Sequence, residues 1–590
     1  MSMAAHSTLS SPHARTEAAA AGFLSRLLQS WRSMFSARTL NHDLFAGITV
    51  SLVAIPQSLA YAQLAGVPAY YGLYAALLPS IIGALFGSSR QLSTGPVAMT
   101  SLLTAASVAQ LAPAGSETFY AYVILLALIS GLFQVAFGVL RIGVLLNFLS
   151  HPVLMGFINA AALIIGLAQL PALLGISVKN SDHFLLDVWQ VVAHVDKLHE
   201  MSLAFGFGAI LALMAFKRFA PKLPGVLITV ALLTLASYGL HFADIGGKVV
   251  GAIPQGFPDL SVPPMDWKAT MNLMPAGFVI ALISFMEAMS SSKVIAIKTR
   301  QPWDENKELI GQGLAKVVAA FSHSMPVSGS FSRSALNLAS NAQTGLSSLI
   351  SAAFVALTLL FLTPLLFHLP KPVLAAIIMM AVFGLINFRA LANAWHAKRD
   401  DGIAAVVTFA ATLAFAPNIQ NGILTGIVLS LALLLYRMMR PRIALLGLHG
   451  DETLRDAERH NLPPLHPLVG AIRFDGALRF VNVAYFEDAL LQLERENPRM
   501  THVLIKSSGI NDIDASGVEM LNNLTTRFKS NGIELVFSGL KKQVSDVMDR
   551  TGLTARIGRG NIFATDKEAL EMLGQRLLPA QTAADLIAAE

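Results

Sequence analysis

From Leu44 to Tyr436 one apolar run follows another, broken by Pro, Gly or short charged clusters, and between Glu117 and Lys179 the only charged residue is Arg141. A chain this poor in charge over such a length cannot cover a water-facing surface. It fits a bilayer, where every backbone polar group must be satisfied internally, and runs near 20 residues select helices. Composition agrees, because 54% of the 590 residues are hydrophobic and 13% are charged, about half the usual charged share of a soluble domain. From about Pro441 charge returns at ordinary density, so a soluble domain follows the membrane unit. With no cysteine, disulfides, thiolate chemistry and Cys-ligated zinc are excluded. The formal charge of +6 calls for no nucleic acid, since basic residues facing anionic lipid account for it.

The apolar runs predict 14 membrane segments, at about 44–62, 68–86, 94–112, 119–139, 148–168, 200–216, 224–240, 274–292, 309–324, 330–343, 346–367, 371–388, 402–417 and 421–438. Arg90, Arg141, Lys217 with Arg218 and Lys222, Lys293 with Lys298 and Arg300, Arg389 with Lys398 and Arg399, and Arg437 with Arg440 then share one side. The excess of basic residues inside makes that side cytoplasmic and puts both termini there. Residues 1–43 read as a cytoplasmic segment, with Phe23, Leu24, Leu27, Leu28, Trp31, Met34 and Phe35 on one face of an amphipathic helix lying at the membrane surface. The membrane domain is expected over 44–440, a linker over 441–463 and a small α/β domain over 464–590.

The segments repeat. "AIPQSLAYAQLAG" puts Gln57 mid-helix in the first span, and "ALISFMEAMSSSK" puts Glu287 at a comparable depth 230 positions later. The third span opens on "QLSTGPVAMTS" and the tenth on "PVSGSFSRS", with Gly95 and Gly329 separated by 234 positions. Both openings carry Gly, Pro and hydroxyls where a full helix needs continuing apolar sequence. Two repeats of seven spans, about 44–240 and 274–438, are inverted relative to each other because seven is odd. Interrupted helices at matching places of inverted halves point to a transporter's midplane site. A helix that starts there exposes N–H groups without intrahelical acceptors and the positive end of its dipole, which together favour an anion. Ser93, Thr94, Ser330 and Ser332 can cap those groups or donate to a ligand, and Arg333 adds positive potential. Ordinary kinks, serines satisfying nearby carbonyls and a snorkelling arginine are the plainer explanations of each residue alone.

"AGITVSLVAIPQSLAYAQLAGVPAYYGLY", Ala46 to Tyr74, closely resembles the signature of the sulfate permease family, SulP. "MEAMSSSKVIAIK", "NKELIGQGLAKVVAAF", "SGSFSRSALN" and "LPKPVLAAIIMMAV" resemble its second half in order, and the C-terminal region resembles its STAS domain. The resemblance implies a 7+7 inverted repeat split into core and gate parts, a homodimer, and a place in a bacterial inner membrane. It also implies a small inorganic anion held between the starts of the third and tenth helices, near polar groups of the first and eighth; these positions map onto Gln57, Ser93, Thr94, Gly95, Glu287, Gly329, Ser330, Phe331, Ser332 and Arg333.

Glu287 separates mechanisms. A carboxylate near an anion repels it unless protonated, so Glu287 can couple anion import to a proton, as the resemblance to plant and bacterial sulfate permeases implies. A static pair with Lys293 or a hydroxyl is the alternative, and the bicarbonate-transporting relatives use an acidic group of this helix for sodium. In the soluble domain, Asp514 and Ser516 of "NDIDASGVEML" open a helix; capping is the physical minimum. The resemblance allows Ser516 to be a regulatory contact or modification site for a cytoplasmic partner. No nucleotide-binding signature accompanies it, and neither enzyme activity nor a bound cofactor is expected. The reading is proton-coupled import of sulfate. Sodium-coupled bicarbonate transport, C4-dicarboxylate transport, a passive channel or exchanger, and a chiefly regulatory scaffold are the alternatives.

Overall fold

The computed structural model describes residues 39–141, 150–176, 184–220, 223–416 and 418–587. The amphipathic helix expected over 23–35 lies outside them. The chain forms two compact units, residues 1–430 and 431–590.

The first unit begins with α1 (Leu40–Leu64), α2 (Tyr70–Phe86), a three-residue strand β1 (Ser93–Gly95), the short helix α3 (Ala98–Val108) and α4 (Glu117–Val139). There follow α5 (His151–Ala168), α6 (Leu170–Leu174), α7 (Phe184–Ala193), α8 (Glu200–Phe219) and α9 (Gly225–Gly239). The second stretch runs through α10 (Trp267–Thr299), α11 (Glu305–Phe321), strand β2 (Ser328–Ser330), the short helix α12 (Phe331–Ala339), α13 (Leu346–Leu357), α14 (Thr363–Leu366), α15 (Lys371–Phe383), α16 (Phe388–Ala397), α17 (Arg399–Ala414) and α18 (Ile419–Met439). Among the described residues eight helices are long and apolar enough to cross a membrane, and α2, α3 and α9 are shorter apolar helices. The chain is a multi-pass membrane protein.

Local chemistry sets the helix ends. Asp266 caps α10 by accepting from Lys268 N and Ala269 N, Asp304 does the same for α11 through Asn306 N and Lys307 N, and Ser116 caps α4 through Phe119 N. Pro364 cannot donate to Leu360 and crowds that carbonyl, so α13 passes through a π turn, Thr358–Leu362, before α14 resumes. Three helices, α6, α7 and α16, lie where the apolar pattern predicts no span. The long connection from α9 to α10 is not loose, for Val250 N donates to Leu369 O, Gly251 N to Phe367 O, and Gly256 N to Leu359 O.

Small residues bring α11 close to α4. A Cβ built on Gly131 would stand 2.9 Å from the Gly313 carbonyl oxygen, and one on Gly313 would stand 2.9 Å from that of Gly131. Without a hydrophobic drive between helices in lipid, such backbone proximity is what packs them.

The second unit contains a six-stranded sheet in the order β4-β3-β5-β6-β7-β8. Its strands are β3 (Arg442–Leu448), β4 (Leu454–Asp456), β5 (Val469–Asp475), β6 (His502–Lys506), β7 (Glu534–Ser538) and β8 (Ile562–Phe563). The period of two sorts the core: Val503 and Ile505 face one cluster with Phe486, Leu521 and Phe528, while Leu504 faces another with Ala569 and Leu573. The stretch 441–463 is not a linker. It supplies β3 and β4, and Leu446 and Leu454 from it are buried in the second cluster. After β5, Leu478 makes an isolated bridge to Ile513.

Candidate functional site

β1 and β2 pair antiparallel, with Ser93 opposite Ser330, Thr94 opposite Gly329 and Gly95 opposite Ser328. All six residues are buried. The two interrupted openings therefore meet strand to strand, and each strand leads into a helix start, β1 into α3 and β2 directly into α12. The crossing demands close approach. A Cβ on Gly329 would lie 2.9 Å from Ala288 Cβ and 3.0 Å from Leu92 Cδ1, and a Cβ on Gly95 would lie 3.0 Å from Arg333 Nη2. Small side chains at these two places let β2 lie against α10 beside Glu287 and let the guanidinium reach β1.

Hydroxyls and amides tie the crossing to its surroundings. Ser93 N donates to Ser334 Oγ at 2.9 Å, Ser80 Oγ donates to Thr94 O at 2.6 Å, and Gln312 Nε2 donates to Thr94 Oγ1 at 2.8 Å. Arg333, 2% exposed, points back across the crossing. Its Nη1 donates to Pro96 O at 2.9 Å and its Nε to Ser93 Oγ at 3.4 Å, while Nη2 is buried without a partner. Ser330 caps α12 by accepting from Arg333 N; Val97 offers no side-chain cap to α3. Behind the crossing a cavity of about 10 Å³ is bounded by Ser80, Ser93, Thr94, Arg333, Ser348 and Ser351, room for about one water. Phe331 and Ser332, in the first turn of α12, are exposed.

Gln57 is buried in α1, its Oε1 unpartnered. Tyr61, one turn further on, interacts electrostatically with both Arg333 and Glu287. Glu287 is half-buried, and its Oε2 is buried without a hydrogen-bond partner. The Ser328 hydroxyl lies beside this carboxylate but donates to Ser284 O at 2.9 Å. Lys293 is exposed; the cations interacting with Glu287 are Lys316 and Arg333. Glu287, Tyr61 and the two openings thus belong to one neighbourhood, and Gln57 lies one turn before Tyr61 on α1. Asp514 and Ser516 belong to the other unit. There Asp514 accepts from Gly517 N at 2.9 Å and from Phe480 N at 2.8 Å, capping the helix Ala515–Ser530 and fastening a preceding loop to it, with Ser516 half-buried in the first turn.

Sequence reasoning missed Tyr61, Ser328, Gln134, Ser284 and Lys316. The signal for Lys316 was present: it stands inside "GLAKVVAAF", four residues after Gln312 and eight after Glu308, on one face of α11.

Residues 40–408 match the sulfate permease family, and residues 464–569 match the STAS domain. The murine Solute Carrier 26 family member A9 anion transporter superposes with a TM-score of 0.85 at 20% identity, covering 92% of this chain and 93% of its own. The transmembrane domain of a cyanobacterial bicarbonate transporter, BicA, superposes at 0.57 with 24% identity over 67% of this chain and 98% of its own. The sulfate permease match with its STAS partner domain thus defines a membrane transport protein. Among curated proteins, a chloroplastic sulfate transporter of Arabidopsis thaliana, 4.1, is 34% identical over 547 residues, 90% of this chain and 79% of its own. A probable sulfate transporter of Mycobacterium tuberculosis is 30% identical over 544 residues, 92% of this chain and 97% of its own. The chain belongs to the sulfate permease family.

Proposed function

We propose that the protein is a secondary active transporter that imports sulfate with protons by alternating access, and that Glu287 is its proton-responsive group. The antiparallel crossing of β1 and β2 carries this reading, because it joins two helix starts around an arginine and beside a carboxylate whose Oε2 has no partner. An oxyanion is far larger than the one-water cavity behind the crossing, so it meets α3 and α12 from the side where Phe331 and Ser332 are exposed. Backbone N–H groups of those first turns recognise it as charge and size. Sulfate, rather than another oxyanion, rests on the names of the relatives that are at least 30% identical.

A proton on Glu287 removes the like-charge repulsion that a poorly screened site would otherwise impose on the anion. Glu287→Gln imitates the protonated form, so in liposomes it should still exchange labelled for unlabelled sulfate while losing accumulation driven by an inward proton gradient. Unchanged proton-driven accumulation in that variant would place coupling elsewhere. A strict requirement for sodium over potassium in the parent would favour sodium-coupled bicarbonate transport instead. The same reading includes 14 spans as two inverted sevens with both termini cytoplasmic. Reporters fused at residue 245 and at the C-terminus should then report opposite sides of a bacterial inner membrane.

A further inference from the structure

Lys316 is fully buried, an expensive place for an ammonium unless it is paired and hydrogen-bonded. Its Nζ donates to Ser284 Oγ at 2.5 Å and to Gln134 Oε1. The Gln134 amide turns its oxygen to the lysine and leaves its own Nε2 buried without a partner, the orientation an ammonium requires. Ser284 precedes Glu287 by three residues on α10, hence on the same helix face, and Lys316 and Glu287 interact electrostatically. α10, α11 and α4 thus converge on one charged node next to β2.

The other charges facing this node are few. Arg333 on α12 and the neutral Tyr61 on α1 interact with Glu287. Glu308, two turns before Lys316 on α11 and so about 12 Å along its axis, is fully buried and already answered: its Oε2 accepts from Ser88 N at 2.9 Å and Ser89 N at 2.8 Å, and its Oε1 from Gln312 Nε2 at 3.1 Å. The local count at the crossing is therefore Arg333 and Lys316 against Glu287. With Glu287 ionised the site carries one net positive charge; with Glu287 protonated it carries two.

Building on the proton-coupled reading above, we propose that Lys316 is the counter-charge that sets substrate valence. Together with Arg333 it makes the protonated site match a divalent oxyanion, and loss of the proton leaves the site one charge short and favours release. Lys316 acts through Glu287 and through the site potential, as a positioning and specificity-determining residue that does not touch the anion. Without it, the protonated site would match a monovalent anion.

The test uses the full chain in liposomes, with sulfate and nitrate as probes. In the parent, sulfate should outcompete nitrate for labelled-sulfate uptake, and the ratio should rise as pH falls from 8 to 6. Lys316→Met and Lys316→Gln should lower the sulfate-over-nitrate ratio by about tenfold or more, as expected for one charge lost from a poorly screened site. Removing a cation near a carboxylate also favours its protonated form, so the pH of half-maximal uptake should move upward, by about one unit. A purely structural lysine would lower the yield or thermal stability and leave both the ratio and the pH midpoint in place; that result would overturn the proposal. A sulfate-over-nitrate ratio in the parent that stays flat or falls on acidification overturns it without recourse to any variant. A parent that takes up no divalent anion overturns the sulfate reading as well, whereas proton-driven sulfate uptake with an unchanged ratio in both variants overturns only the role of Lys316.

Discussion

Arg333 and Pro96 stand 237 positions apart in the chain, and the Arg333 Nη1 donates to the Pro96 carbonyl at 2.9 Å. The arginine proposed for the anion site therefore also fastens one helix opening to the other. The planar guanidinium spans Pro96 O and Ser93 Oγ together, a geometry that lysine's point charge on a flexible stem cannot reproduce. Arg333→Lys should keep the positive potential but let the crossing shift, with sulfate uptake falling by about a hundredfold, the size expected of a misplacement near 1 Å. Arg333→Gln should lose both. Initial uptake rates in liposomes at matched protein density decide between these outcomes, and near-parental uptake by Arg333→Lys would reduce the residue to a charge alone.

A second clamp works at a distance. Glu308 holds the backbone of Ser88 and Ser89, just before β1, while Gln312 joins Glu308 to Thr94 within it. Glu308→Ala would leave two N–H groups without their acceptor, at about 1–3 kcal/mol for each that stays dry. The melting temperature of the purified protein should drop by several degrees, and Glu308→Gln, which keeps one acceptor oxygen, should fall between. Equal melting of all three proteins would show that water replaces the carboxylate without cost.

Much of this was legible from residues. The interrupted openings at "STGP" and "SGSFSRS" have a local signature in Gly, Pro and hydroxyls, and their matching offset announced that they belong together. Their pairing as three-residue strands was not legible, because strands so short and so far apart in sequence leave no periodic pattern. Lys316 was overlooked for a different reason. A single lysine in an apolar run resembles a residue that snorkels to the interface, and only the convergence of Gln134 and Ser284 on its Nζ reveals a buried node. Strand β4 was hidden by charge: "GLHGDETLRDAERHNLPP" reads as solvated chain, although it holds an edge strand of three residues whose Leu454 is buried.

Ser332 tests the open side of the crossing. It is exposed at the start of α12, and its Oγ lies 3.4 Å from Ser330 Oγ. Ser332→Trp should fill the approach to the helix start, while Ser330 keeps its cap to Arg333 N. Folded protein should be recovered at the parental melting temperature while sulfate uptake is abolished; a transport-competent Ser332→Trp protein would move the anion path away from this face.

The start of the α/β unit makes the last prediction. A fragment cut at residue 464, where the STAS match begins, lacks β3 and β4 and so removes Leu446 and Leu454 from a cluster that includes Val469, Ala471 and Leu504. Burying a leucine contributes about 1.5–3 kcal/mol, a large part of the stability of a small domain, and the cut also bares the β5 edge to pairing with other chains. Fragment 441–590 should therefore express as soluble monomer, while 464–590 should aggregate or melt at much lower temperature. Within the longer fragment, Asp456 accepts from Arg459 N at 3.0 Å and pairs with Arg442. The backbone N–H first, and the guanidinium with it, hold the carboxyl below the usual aspartate range. Because its folded value is depressed, the stability it contributes is present above the unfolded value of about 3.9 and is lost as pH falls through the lower folded value. Asp456→Ala should thus melt lower than the parent fragment at pH 7, by about 1 kcal/mol of lost capping, and the difference should shrink as pH falls below 4. Thermal melts across pH 7 to 2.5 measure it, and a gap that widens on acidification would contradict the assigned sign.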